Sequence, residues 1–322
     1  MLALASPASL KGVLTPLEAA AHLAAGLRRV KSVSVLELPV ADGGDGTAEV
    51  LHAALGGTWR QAVVSDAFGR TVSARWLLLP DGTAFVDSAE AVGIARLRPD
   101  ELDPLRATSR GLGELLLAIL ASQPTSILIG VGGTATVDGG VGMRALAGSW
   151  LHDIPLRVLC DVRNPLLGER GAARVFGPQK GADADAVEEL ELRLAALDEL
   201  APYRDLPGAG AGGGLGAAFA ALGAELCEGA DVVLDLIQFD RVARNADVVV
   251  TGEGTVDATT LEGKAPGAVV RRCEKLGVQC ELFGGLVRDG VHAHALSGDR
   301  SQATEDLVAL GEELGLLLVE GT

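Results

Sequence analysis

Aromatic residues make up only 3% of this 322-residue chain, and it has just four cysteines and five lysines. With 48% apolar residues and so few rings, its core must be built from Val, Leu, Ile and Ala. Cys160, Cys227, Cys273 and Cys280 form no CxxC pair and no zinc spacing. That excludes a redox motif or zinc ribbon and leaves the reduced core thiols of a cytosolic protein. No apolar run approaches the roughly 18 residues of a membrane span. The N-terminus MLALASPAS also lacks the basic region and long apolar stretch of a signal peptide. A cytoplasmic protein with no membrane partner is therefore expected. Net charge is −16 and no basic stripe occurs, which argues against nucleic acid as a partner. His22 and His52 lie in helical patterns, and His292 and His294 read as a strand end rather than a metal site.

Glycine is abundant. The 43 glycines follow no collagen period and gather where apolar runs stop, as α/β loops require. In VVVTGEGTVDATTLEGKAP (248–266) a β-branched run ends in Gly252-Glu253-Gly254, followed by Asp257 and Lys264. Carboxylates so placed can hold a divalent metal, and backbone N–H groups with a lysine can hold phosphate. The arrangement recurs. VSVLELPV leads to Asp42-Gly43-Gly44-Asp45, ILIG leads to the glycines around Asp138, and RVLC leads to Asp161. Ligands of open α/β sheets bind at the carboxyl ends of strands, so these acids are candidates for one cleft. Lys11, Lys180 and Lys264 each adjoin a glycine, a placement suited to capturing phosphate or carboxylate. Gly208 to Gly213 fits G-x-G-x-x-G, but no strand precedes it, so a dinucleotide site is not expected. As a loop before a helix it can still present N–H groups to an anion. Gly263-Lys264 is followed by Ala265, so no Walker A motif is present.

The chain reads as β-α-β-α at its start: a strand at Leu2 to Ala5, a helix capped by Thr15-Pro16-Leu17-Glu18, a strand from Val33 and a helix from Thr47 to Leu55. Such a unit implies a parallel sheet with a right-handed crossover. Residues 58 to 88 alternate instead, with a hairpin signal at Leu79-Pro80-Asp81-Gly82. Helices are expected from Ser109 to Leu120 and Asp183 to Leu200, and another is expected to open with the glycine-rich Pro207 to Gly216. The βα texture returns at Val248, with a last helix near Ala303 to Leu314.

Together these blocks resemble the type I glycerate kinase family. The resemblance rests on PASLKG (7–12), PVADGGDGT (39–47), SRGLGELL (109–116), IGVGGTATVDGGVGM (129–143), CDVRNPLLG (160–168), VFGPQKGA (175–182), PGAGAGGGLGA (207–217) and VVTGEGTVDATTLEGKAPG (249–267). They run in family order along nearly the whole chain. The resemblance implies an α/β protein of two domains. A flavodoxin-like, parallel-sheet domain (1–58 and 241–322) would be split by an inserted mixed α/β domain (59–240), with the acidic turns converging on a cleft between them. It also implies transfer of the γ-phosphoryl of ATP, with Mg²⁺, to D-glycerate, usually giving 2-phosphoglycerate. On that reading Lys11 binds an anionic group, and Asp138 and Asp161 are candidates for metal ligand or hydroxyl-activating base. Asp42, Glu253 and Asp257 would hold Mg²⁺ directly or through water. Lys180 and Lys264 would neutralise phosphates, beside the backbone of Gly210, Gly212 and Gly252.

The chain also departs from the family pattern. Ala8 stands for an aspartate, Val137 for an asparagine, Leu112 for a threonine and Thr255 for a polar residue after TGEG. A few dozen residues are missing where Ala147 to Leu156 now connect a helix to the CDV strand. In a cleft, each lost charge-stabilising contact would cost about 2.7–4 kcal/mol. Three readings therefore stand at this point: a glycerate kinase, a kinase for another small hydroxy-acid, and a weakened or inactive homologue that binds a metabolite.

Overall fold

A computed structural model describes residues 1–288 and 290–320, without the side chains of residues 259, 261 and 262. In chain order the described strands are β1 (Leu2–Ala5), β2 (Ser34–Glu37), β3 (Thr58–Ser65), β4 (Thr71–Leu78), β5 (Thr83–Asp87) and β6 (Ser126–Gly130). They continue with β7 (Leu156–Cys160), β8 (Glu225–Glu228), β9 (Val248–Val256), β10 (Gln279–Val287) and β11 (His294–Ala295). The chain divides into two units. The first holds Met1–Asp42, Glu49–Ala54 and the chain from Ala230 onward; the second holds Gly43–Ala48 and Leu55–Gly229. The expected α/β class is what the sequence forms, with a parallel sheet in the discontinuous unit and a mixed sheet in the other.

The sheet of the first unit has the order β11-β10-β9-β1-β2, and every neighbouring pair is parallel. β1 lies between β2 and β9, so the chain leaves β1 on one side of the sheet and returns on the other. A switch in strand order of this kind opens a crevice at the carboxyl edge. The buried strands β1 and β9 lack polar alternation, as expected for a sheet covered on both faces. The helix Pro16–Leu27 begins at the foreseen capping box, where Thr15 Oγ1 accepts from Glu18 N at 3.2 Å and Glu18 Oε2 accepts from Thr15 N at 2.8 Å. These bonds hold the Glu18 carboxyl below its usual range. Leu23 and Leu27 on its inner face are fully buried, each contributing about 1.5–3 kcal/mol. The last helix, Ala303–Glu320, is longer than the sequence pattern suggests. It packs so closely on Pro16–Leu27 that a Cβ on Gly26 would lie 2.0 Å from the Val308 carbonyl oxygen.

The second unit carries the order β3-β4-β5-β6-β7-β8, antiparallel from β3 to β5 and parallel thereafter. The expected hairpin closes between β4 and β5, where Leu79 N donates to Thr83 O at 2.8 Å. Two sequence expectations are corrected here. The helix foreseen to Leu200 ends at Ala195, and a 3₁₀ turn follows from Asp198 to Tyr203 around Pro202, which cannot donate to a helical ladder. The glycine-rich segment is not the first turn of a regular helix, because Gly212, Gly213 and Gly214 have left-handed backbones and regular helix starts only at Leu215. A Cβ on Gly213 would lie 2.0 Å from the Thr136 carbonyl oxygen. Gly213→Ala is therefore expected to cost at least about 2 kcal/mol of stability, seen as a lower urea midpoint with unchanged slope. An unchanged midpoint would refute the close approach.

All four cysteines are free, with Cys160 and Cys273 buried. Burial, then the neighbouring Asp161 charge, pushes the Cys160 thiol up to about 12, the mark of an inert thiol. Among the described residues no helix is long and apolar enough to cross a membrane.

Candidate functional site

In the first unit, the loop after β1 rides along β9. Ser6 N donates to Val250 O at 2.8 Å and Ala8 N to Gly252 O at 2.9 Å, while Thr251 Oγ1 donates to Ser6 O at 2.7 Å. These bonds carry the chain to a tight turn closed by Leu10 and Leu14, with the exposed Lys11 at its tip. The bare face of Gly254 lies against this turn, its Cβ position 3.4 Å from Lys11 N. On the other side of β1, Leu38 N donates to Ala5 O and Val40 N to Pro7 O, which delivers the half-buried Asp42. Gly252 lies inside β9, where a Cβ would meet the Phe283 carbonyl oxygen at 2.2 Å. Its lack of a side chain thus serves the approach of β10.

Glu253 is the electrostatic centre of this edge. Its side chain is only 15% exposed, and Lys264 Nζ stands 3.2 Å from its Oε1. Thr260 Oγ1 donates to the same oxygen at 2.7 Å. Burial pushes the carboxyl above its usual range; the Thr260 and Lys264 contacts oppose that push and the Asp42 charge adds to it. The Glu253 and Asp42 carboxylates are thus near enough to repel. Asp257 is half-buried at the start of the helix Ala258–Gly263, and its N–H donates to Thr260 Oγ1 at 3.1 Å. Lys264 occupies the cap of the helix Ala265–Leu276. Among the described residues no group of three or more His, Cys, Asp or Glu is arranged to hold a metal ion. The Asp42 and Glu253 pair fits the way Mg²⁺ is usually held, by one or two carboxylates with phosphate and water oxygens completing the shell. Ser6 adds a buried hydroxyl at the end of β1 with no hydrogen-bond partner among the described residues.

In the second unit, Asp161 is exposed at the carboxyl end of β7. Asp138, beyond the end of β6, is half-buried and already committed. Its carboxylate accepts from Ser109 N and Ser109 Oγ, both at 2.8 Å, from Gly140 N at 3.1 Å and from Gly142 N at 3.3 Å. These are the bonds of a turn that ties the start of the helix Arg110–Ala121 to the start of the helix Val141–Ala147. Lys180, in a 3₁₀ turn at Pro178–Lys180, is buried, with Nζ 2.7 Å from Thr136 O and 3.1 Å from Thr134 Oγ1. Gly210 N donates to Asn164 O at 2.9 Å, and a Cβ on Gly212 would lie 2.9 Å from Val131 O. Both glycines are therefore places where backbone segments meet closely.

Sequence reasoning passed over three supporting residues. Thr260 stands three residues after Asp257, a spacing at which a side-chain hydroxyl can reach back to the turn. Ser109 opens a helical pattern, and Thr134 follows a pair of glycines. Three of the four altered family positions lie in packed surroundings. Leu112 and Val137 are buried in apolar clusters. Ala8 is 8% exposed and acts through its backbone N–H.

Comparison with known proteins agrees with this architecture. The "Glycerate 2-kinase" of Escherichia coli is 37% identical, over 90% of this chain and 87% of its own length. The "Glycerate kinase" of Bacillus subtilis is 36% identical, again over 90% and 87%. A crystal structure described as a putative glycerate kinase 2 from Salmonella typhimurium superposes with a TM-score of 0.83 at 32% identity. It covers 100% of this chain and 99% of its own. The glycerate kinase family model matches residues 3–153 and 146–307, two pieces that meet in the short connection around Ala147 to Leu156. Matched along nearly its whole length, the chain belongs to the glycerate kinase family.

Proposed function

We propose that this enzyme transfers the γ-phosphoryl group of ATP, with Mg²⁺, to D-glycerate, giving 2-phosphoglycerate in the cytoplasm. The observation that carries the reading is the Asp42, Glu253 and Lys264 cluster, with Lys11 beside it, at the carboxyl edge where β1 and β9 part. Phosphoryl transfer asks a protein chiefly for positioning and charge neutralisation. Mg²⁺ held there would supply charge neutralisation for the phosphates. Asp42 and Glu253 would hold it, with Asp257 reaching it through water. Lys264 would neutralise phosphate, releasing its hold on Glu253 as the charges redistribute. Lys11, exposed on a tight turn, would anchor an anionic group such as the glycerate carboxylate. In the second unit, Asp161, exposed at the carboxyl end of β7, and Asp138 are the candidates for accepting the substrate hydroxyl proton, and Asp161 is the one we propose. Gly210, Gly212 and Gly252 would serve by letting backbones approach closely. The apolar clusters around Leu112 and Val137 support reading them as packing residues.

A coupled ADP-release assay with ATP, Mg²⁺ and D-glycerate tests this reading. Turnover that disappears when either glycerate or Mg²⁺ is omitted is the expected result. Turnover only with another hydroxy-acid would redirect the substrate assignment, and none with any would end it. Asp161→Ala is expected to lower kcat by about 10²–10⁴-fold, the usual reach of a general base. An Asp161→Ala enzyme with wild-type kcat would remove this residue from the mechanism.

A further inference from the structure

Lys180 is only 4% exposed. Its ammonium donates to the Thr136 carbonyl and the Thr134 hydroxyl. The Asp138 carboxylate acts on it through space. An amine buried in this way is costly, and burial pushes Lys180 down to about 7. An apolar side chain of similar length would fill the same space without that cost. What the amine supplies is local. The Thr136 carbonyl it holds is also the atom that Gly213 approaches through its missing side chain. Two residues further on, the Asp138 carboxylate fixes the starts of two helices. Lys180 thus holds the near end of the loop whose far end is the Asp138 turn.

Building on the kinase reading above, we propose that Lys180 is a positioning residue that clamps the Thr134-to-Asp138 loop against the glycine-rich turn, instead of a group that touches the phosphates of the nucleotide. A phosphate contact would act mainly on substrate binding, whereas a clamp acts on the geometry of turnover.

Lys180→Met and Lys180→Gln, measured against the wild-type chain, separate these roles. For Lys180→Met the expected result is a kcat lower by roughly 100-fold, the cost of misplacing a site by about an ångström. KM for ATP and D-glycerate should stay within about threefold. The melting temperature at pH 7 should not fall below that of the wild type. Lys180→Gln, whose amide can still reach the Thr136 carbonyl, should recover part of the kcat. Hydrogen exchange should quicken over residues 131–142 and stay unchanged over the helix Pro16–Leu27. A large rise in KM for ATP with kcat retained, or an unchanged kcat in an active enzyme, overturns the clamp. Failure of the wild type to phosphorylate any hydroxy-acid ends the kinase reading. In that case exchange over 131–142 still decides, and unchanged protection in Lys180→Met overturns the clamp by itself.

Discussion

Lys264→Ala is expected to lower kcat/KM for ATP-dependent phosphorylation of D-glycerate by about two to three orders of magnitude, the usual cost of one charge-stabilising contact at a transferring group. The side chain is 34% exposed at a helix start, so its removal should leave the fold intact. It would also leave Glu253 buried beside Asp42 without its cation. Burial already holds the Glu253 carboxyl above the ordinary 4.5, and losing Lys264 should raise it further. An acid with a raised folded-state pKa binds more protons folded than unfolded. Its stabilising contribution is then greatest below 4.5 and is lost as pH climbs toward the raised value. The Lys264→Ala chain should therefore lose more melting temperature than the wild type as pH rises above 4.5, and Glu253→Gln in the same background should abolish the difference. A mutant that keeps its activity sinks the phosphate role. One that loses activity while its pH–stability curve stays parallel to wild type sinks the ion-pair account alone.

Lys180 leads to the second large effect, on stability. Its amine is lowered from the ordinary 10.5 to about 7 by burial. Between those values the unfolded chain carries a proton that the folded chain does not, so wild-type stability should rise with pH across that window. The whole span corresponds to on the order of 5 kcal/mol. Against this stand the hydrogen bonds to Thr134 and Thr136, whose loss costs about 1–3 kcal/mol. Desolvation wins at neutral pH and fades as the amine loses its proton. Lys180→Met should therefore be more stable than the wild type near pH 7, and the advantage should shrink or reverse by pH 10. Urea midpoints of the two proteins at several pH values would show it. A pH-independent difference would mean that the buried amine does not titrate in this window.

Much of this molecule is legible in its sequence because the deciding interactions are local. Thr15 and Glu18 cap their own helix, Leu79 to Gly82 turn their own hairpin, and unbroken apolar runs mark β1, β6 and β9 as buried strands. The acids and lysines at strand ends are visible for the same reason, since a parallel sheet places every strand exit on one edge. Partner choice is not local. Nothing near Lys264 in the sequence says that it pairs with Glu253, or that Thr260 completes the contact. Lys180 looks like any lysine in a glycine turn until the loop from Thr134 to Thr136 closes over it. Leu112 and Val137 look like damage to a site until the apolar clusters around them are seen. The glycine-rich segment invites a helix until the carbonyl of Thr136, some 77 residues earlier in the chain, takes the space a side chain would need. The sequence by itself determined the α/β class, the strand exits and the supply of charge. The tertiary structure decided which charges meet and which are buried, because desolvation depends on neighbours that chain order does not reveal.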